Sequence, residues 1–143
     1  MFVGNYTHNI DAKGRVFVPS KLRQELGQRF YICRGMDCRC IRAYNETEWV
    51  RMLSRLRDSN LGDNSARRRL TYSAVDVEMD SQGRIMLTEQ LRNYAGLTEK
   101  VCFVGMLDWV ELWNPESFAE IMGDDLMDPD KDEYDALRGV GIN

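Results

Sequence analysis

The pentapeptide Asp11-Ala12-Lys13-Gly14-Arg15 returns as Asp80-Ser81-Gln82-Gly83-Arg84, 69 positions further along the chain. At that offset the chain reads as two ungapped copies of one unit, from Thr7/Asp76 to beyond Trp49/Phe118. Leu22/Leu91, Arg23/Arg92, Gly27/Gly96, Cys33/Cys102 and Asn45/Asn114 are identical, and Val16/Ile85, Val18/Leu87, Ile32/Val101 and Ile41/Val110 agree in kind. An open-ended array needs about three or more units to bury a continuous core, so a single duplication predicts a closed domain with a pseudo-twofold axis. At 143 residues, 43% of them hydrophobic, the chain can supply the core of one such domain.

The pattern divides into a first repeat over 1–57, a polar linker with a basic segment over 58–72, a second repeat over 73–123 and an acidic tail over 124–143. Each repeat opens with short strands around the Asp-x-x-Gly-Arg turn. Asp at the first corner and Gly at the fourth suit a type I turn followed by a left-handed glycine, which makes Asp11, Gly14, Asp80 and Gly83 turn-forming residues. A short helix follows over Ser20 to Leu26 or Thr88 to Ala95, with Ser20 or Thr88 as N-cap and Gly27 or Gly96 past the end. Strands at Phe30–Arg34 and Cys38–Tyr44, matched by Lys100–Val104 and Trp109–Trp113, form a second hairpin. Each unit closes with a helix capped by Asn45 or Asn114. In the first of these, Trp49, Met52, Leu53 and Leu56 make one apolar stripe that a chain this short is expected to leave partly for a subunit interface.

Charge is unevenly placed. Residues 1–72 carry 14 Lys and Arg against 7 Asp and Glu, whereas residues 73–143 carry 5 against 16, so a chain of net charge −4 can still present a basic face to a polyanion. No apolar run approaches the roughly 20 residues that span a bilayer, and the opening MFVGNYTHNID has neither a basic leader nor a long apolar stretch. The expectation is a cytoplasmic protein with no membrane partner. The cysteines at 33, 38, 40 and 102 make a poor disulfide framework and read as reduced strand residues, with no metal and no cofactor; the alternative is a metal site using Cys38 and Cys40 with Cys33 and His8, whose spacing lacks the paired C-x-x-C knuckles of zinc ribbons.

Catalysis needs a nucleophile, a base and a means of stabilising charge held together. His8 is the single histidine, its counterpart is Val77, and no glycine-rich phosphate loop or metalloprotease motif is present. The reading is therefore not an enzyme and has no small-molecule substrate. Arg15 and Arg84 are harder to dismiss, because a hairpin does not require arginine after its glycine. One role is an intramolecular Asp–Arg pair bracing the turn. The other is a guanidinium presented on a stiff loop to phosphate or to guanine edges. Lys13, Lys21 and Arg23 cluster near Arg15, and their equivalents are Gln82, Gln90 and Arg92, so the first copy is the more basic.

The paired Asp-x-x-x-Arg motifs, the opening MFVGNYTHNIDAKGRVFVPSKLR, the later QGRIMLTEQLRNYAGL and VGMLDWVELWN closely resemble the MraZ family of bacterial transcriptional regulators over about residues 1–122. Thr88 departs from the proline that the family pattern commonly has there, as Pro19 does in the first copy. The resemblance implies an α+β, strand-rich fold in which the two tandem repeats form a pseudo-twofold swapped-hairpin, AbrB-like (double-split) β-barrel with short flanking helices. It implies a closed ring homo-oligomer that binds tandem short promoter boxes in double-stranded DNA, represses its own division and cell-wall gene cluster and associates with the nucleoid. Arg15 and Arg84 match the motif arginines, and Lys13, Lys21, Arg23 and Arg92 are the further DNA-binding candidates. The rival reading is a ring-forming scaffold whose basic face contacts protein or lipid without specific DNA binding.

Overall fold

Strands form where apolar and polar residues alternate, and helices where apolar residues recur at spacings of three and four. In the computed structural model, which describes residues 1–143, the first repeat runs β1 (Asn5–Asn9), β2 (Arg15–Phe17), α1 (Ser20–Leu26), β3 (Arg29–Arg34), β4 (Ile41–Tyr44) and α2 (Glu46–Asp58). Helix α3 (Ser65–Ser73) leads to β5 (Val75–Glu78), β6 (Arg84–Met86), α4 (Glu89–Ala95), β7 (Lys100–Gly105), β8 (Val110–Trp113) and α5 (Pro115–Met122). A last helix, α6 (Lys131–Gly139), lies in the tail. The architecture is α+β, as the resemblance implies, but its six helices hold more residues than its strands, so it is not the strand-rich fold expected.

The two repeats exchange their opening strands. β1 pairs antiparallel with β7 of the second repeat and β5 with β3 of the first, giving one six-stranded sheet in the order β1-β7-β8-β4-β3-β5. β2 and β6 pair with each other in a separate two-stranded ribbon. The self-paired hairpin expected at each Asp-x-x-Gly-Arg turn is thus reduced to a single bridge in the first copy, Ile10 to Val16. The sheet also stays open: β1 and β5 are its edges and do not pair, so the expected closed barrel is not formed. A pseudo-twofold axis passes through the Arg42/Glu111 pair of β4 and β8 and through the Val16/Ile85 pair of the ribbon.

Strand register corrects the ungapped alignment. The segment between α1 and β3 is Gly27-Gln28, whereas the one between α4 and β7 is Gly96-Leu97-Thr98-Glu99. Two extra residues advance a strand by one full pleat and so preserve its inward face. Buried Phe30 and Ile32 therefore correspond to Val101 and Phe103, not to Glu99 and Val101. The same equivalence relates the hydrogen bond from Met79 N to Gln28 O to the one from Ile10 N to Glu99 O. The Cys33/Cys102 match is consequently coincidental. The loop between β7 and β8 is shorter than the β3–β4 loop, and the original offset returns at β4 and β8.

One core joins Phe30, Ile32 and Ile41 to Val101, Phe103 and Leu112, with Val16 and Ile85 from the ribbon and Leu22 and Leu91 from α1 and α4. Caps differ between copies. Thr88 Oγ1 accepts from Leu91 N at 3.2 Å, but in the first copy Pro19, not Ser20, occupies the N-cap and no side chain caps α1. Asn64 precedes α3 without a side-chain cap, while Asn45 and Asn114 cap α2 and α5 as expected.

Candidate nucleic-acid interface

The two Asp-x-x-x-Arg turns are built alike. Asp11 accepts hydrogen bonds from Lys13 N and Arg15 N, each at 2.9 Å, and from Arg15 Nε at 2.7 Å. Asp80 repeats the set with Gln82 N and Arg84 N at 2.9 Å and Arg84 Nε at 2.8 Å. Gly14 and Gly83 lie in the left-handed region at φ 84° and 82°, where a side chain would be strained. The backbone N–H of Arg15, reinforced by its guanidinium and by Lys13 N, holds the Asp11 carboxyl down at about 2, and the same donors on the second turn hold Asp80 below the usual carboxylate range. Each aspartate thus stays ionised and grips its arginine through Nε, leaving the Nη1/Nη2 edge of the guanidinium for an outside acceptor.

Both arginines stand on one surface. In the ribbon Arg15 faces Met86 and Phe17 faces Arg84, while Val16 and Ile85 between them point into the core. The outer face therefore carries Arg15, Phe17, Arg84 and Met86, with Phe17 and Met86 40% and 50% exposed and the Arg84 guanidinium 5.9 Å from the Phe17 ring centre. Sequence reasoning passed over Phe17 and Met86, although residues i and i+2 of a strand share a face.

Arg23 and Arg92 are anchored to backbone carbonyls. Arg23 Nε donates to Val18 O at 2.8 Å and Arg92 Nε to Leu87 O at 3.2 Å. Each guanidinium then lies over the glycine of the opposite repeat's turn: a Cβ on Gly14 would stand 2.8 Å from Arg92 Nε, and one on Gly83 would run into Arg23. Backbone bonds from Val18 N to Gly83 O and from Leu87 N to Gly14 O, both 2.9 Å, lock the turns together across the axis. Lys13 at the turn tip and Lys21 on α1 are exposed, whereas Arg23 and Arg92 are half-buried.

The stripe on α2 is largely covered within the chain. Trp49 is 8% exposed and stacks on Tyr31 with ring centres 5.2 Å apart, and Met52, Leu53 and Leu56 share a cluster with Leu70 of α3. The counterpart on α5 is bare: Ile121 and Met122 are 63% and 45% exposed and, with Phe118, Trp113, Val104 and Met106, line an open groove of about 690 Å³. No helix is long and apolar enough to cross a membrane.

Comparison with known proteins agrees with the duplicated turn. The family model described as MraZ protein, antitoxin-like, matches residues 1–72 and again 70–137. A protein of Acetivibrio thermocellus named Transcriptional regulator MraZ is 39% identical over 130 residues, covering 89% of this chain and 90% of that one. Proteins of the same name from Finegoldia magna and Caldicellulosiruptor saccharolyticus are 37% and 36% identical, covering 99% and 92% of this chain and 100% and 93% of theirs. With the family's repeat matched twice and such relatives aligned almost end to end, the chain belongs to the MraZ family.

Proposed function

We propose that this protein is a sequence-specific DNA-binding transcriptional regulator that reads tandem short promoter boxes with its Arg15 and Arg84 turns and represses its own division and cell-wall gene cluster. The observation that carries this reading is the pair of turns on one ribbon face, alike to within 0.1 Å in their aspartate contacts, each fixing Nε and freeing the fork of the guanidinium. A fork held in advance loses little freedom on meeting a guanine edge or a phosphate. Lys13 and Lys21 add phosphate contacts, and Arg23 and Arg92 keep the turns in place. The names of the relatives support the regulatory role.

Few cations per subunit imply weak binding by one subunit, so affinity comes from several acting together. A closed ring supplies this. Its head-to-tail contact would set the basic first half of one copy against the acidic second half of the next, with the bare α5 groove covered at the joint. Such a protein works in the cytoplasm on the nucleoid. The experiment is a mobility shift with the DNA upstream of its own gene, against shuffled duplex and anionic vesicles, and with one to four boxes. Affinity should climb steeply with box number and fall when half a helical turn is inserted. Equal binding to shuffled DNA would overturn the assignment, and preference for vesicles would favour the scaffold reading.

A further inference from the structure

The β3–β4 loop of the first repeat brings the sulfurs of Cys38 and Cys40 to 3.0 Å from one another. The carboxylate of Glu111, on β8 of the second repeat, completes a cluster whose three donor atoms all lie within 4.8 Å of each other. We propose that Cys38, Cys40 and Glu111 form a binding site for one thiophilic divalent cation of the zinc class, with solvent as fourth ligand, and that the ion ties the two repeats together.

The donor set selects the ion. Thiolates favour soft or borderline cations, and a tetrahedral zinc centre sets sulfur and oxygen donors about 3.5–3.8 Å apart. The Cys38–Cys40 sulfur separation of 3.0 Å is shorter than that range and the remaining separations are within 4.8 Å, so the two sulfurs would have to part slightly around an ion, and Cys38 sits on a half-exposed loop position that can adjust. Glu111 is buried, and its carboxylate is held in place by two indoles. Oε1 accepts from Trp113 Nε1 at 3.0 Å and Oε2 from Trp109 Nε1 at 3.1 Å, which orients both oxygens and leaves each a lone pair.

Charge points the same way. Binding would displace the two thiol protons to solvent, and the resulting thiolates, Glu111 and the Arg42 guanidinium, 3.8 Å from Glu111 Oε2, would then sum to a double negative charge that the divalent cation neutralises. Arg42 Nε is buried without a hydrogen-bond partner, as befits a counter-charge more than a bonding partner. Asp37 takes up another edge of that guanidinium at 3.2 Å. In the free subunit an entry path exists, because Cys38 and Glu111 line the groove beside α5, so the ion would enter before that groove is covered by a neighbouring copy. Burial pushes the Cys38 and Cys40 thiols up, which argues against a peroxide-reactive pair. Cys33 and Cys102 lie outside the cluster.

The test is a titration of the reduced full-length protein with cobalt(II), followed by zinc competition against a chromophoric chelator. One ion per chain should bind with a thiolate-to-cobalt charge-transfer band and the visible bands of a tetrahedral centre. Cys38→Ser and Cys40→Ser should each weaken zinc binding by more than the about 10- to 100-fold that loss of an outer-shell partner costs. Cys102→Ser should bind as the natural chain does. Zinc should raise the melting temperature of the natural chain and of Cys102→Ser, but not of Cys38→Ser. No charge-transfer band at one equivalent of cobalt, or natural-chain zinc affinity in the Cys38→Ser/Cys40→Ser double variant, would overturn the proposal.

Discussion

Replacing Arg15 by alanine separates the structural from the recognitive role of the turn. Its side chain is 31% exposed, contributes nothing to the core cluster, and has Asp11 as its side-chain hydrogen-bond partner. The turn itself keeps the Asp11 bonds to Lys13 N and Arg15 N, since both donors are backbone. Arg15→Ala should therefore melt close to the natural protein. A bidentate guanidinium–guanine contact is worth about 1–3 kcal/mol, so each engaged turn should lose roughly 5- to 150-fold in affinity, compounded across a multivalent assembly. Arg15→Lys refines the outcome: lysine restores a phosphate contact as a point charge but not a fork, so recovery on lysine assigns Arg15 to phosphate and continued loss assigns it to a base edge. The salt dependence reports the same distinction, because each lost phosphate contact lowers the log–log slope by about 0.9. Fluorescence anisotropy on upstream and shuffled duplexes, with thermal melts alongside, makes the measurement. Natural affinity in Arg15→Ala would refute the reasoning, while Arg84→Ala should act in the same direction but less, since Gln82 and Gln90 leave its surroundings less basic.

Gly83→Ala should cost about 1–2 kcal/mol for the left-handed backbone and more for displacing Arg23, whereas Gly62→Ala, at φ 80° with nothing within 4 Å, should bear only the backbone cost; equal denaturation midpoints in the two would show that Arg23 is not a brace. The depressed Asp11 carboxyl contributes to stability fully above its ordinary value of 3.8 and loses that contribution as pH falls through about 2, so carbon-detected NMR titration of its side chain should give a midpoint near 2, and a midpoint near 3.8 would remove the hydrogen-bond account of the turn. Light scattering should find an oligomer that Ile121→Asp weakens, since Ile121 is 63% exposed beside the bare groove; a natural chain that is monomeric at micromolar concentration would defeat the ring.

The repeated pentapeptide was enough to place the turns, their glycines and the two arginines, because each depends on residues adjacent in sequence. What escaped the sequence depends on contacts between distant segments. Strand exchange cannot be read from Val75–Glu78 itself: the same alternation suits pairing with β6 or with β3, and the partner is set by which pairing buries Val77 against Phe30. Arg23 reads as a DNA-binding candidate because it is basic and near Arg15, but that its guanidinium also lies on a turn that begins more than fifty residues later is a property of the pseudo-twofold and is not legible in the local sequence. The Trp49 stripe was legible as apolar, but its cover, Leu70, lies in a segment whose arginines read as a solvated linker.

The two copies have diverged in a selective way. The ribbon and its turns keep their distances, whereas the loops between β3 and β4 and between β7 and β8 differ in length, the α2 stripe is covered and the α5 groove is open, and the charge has moved to opposite signs in the two halves. A physical division of labour explains this pattern under the proposed function. Presenting two like turns across an axis to DNA requires equivalence, and each turn is braced by the other repeat's arginine, so a change in one disturbs both. A head-to-tail joint between subunits requires the reverse: two different faces, one to receive and one to insert, with opposite charge to exclude the wrong orientation. Substitutions on the ribbon and on the helices that brace its turns should therefore affect DNA binding in matched pairs, Arg15 with Arg84 and Arg23 with Arg92. Substitutions around the α5 groove should have no counterpart effect at the covered α2 stripe.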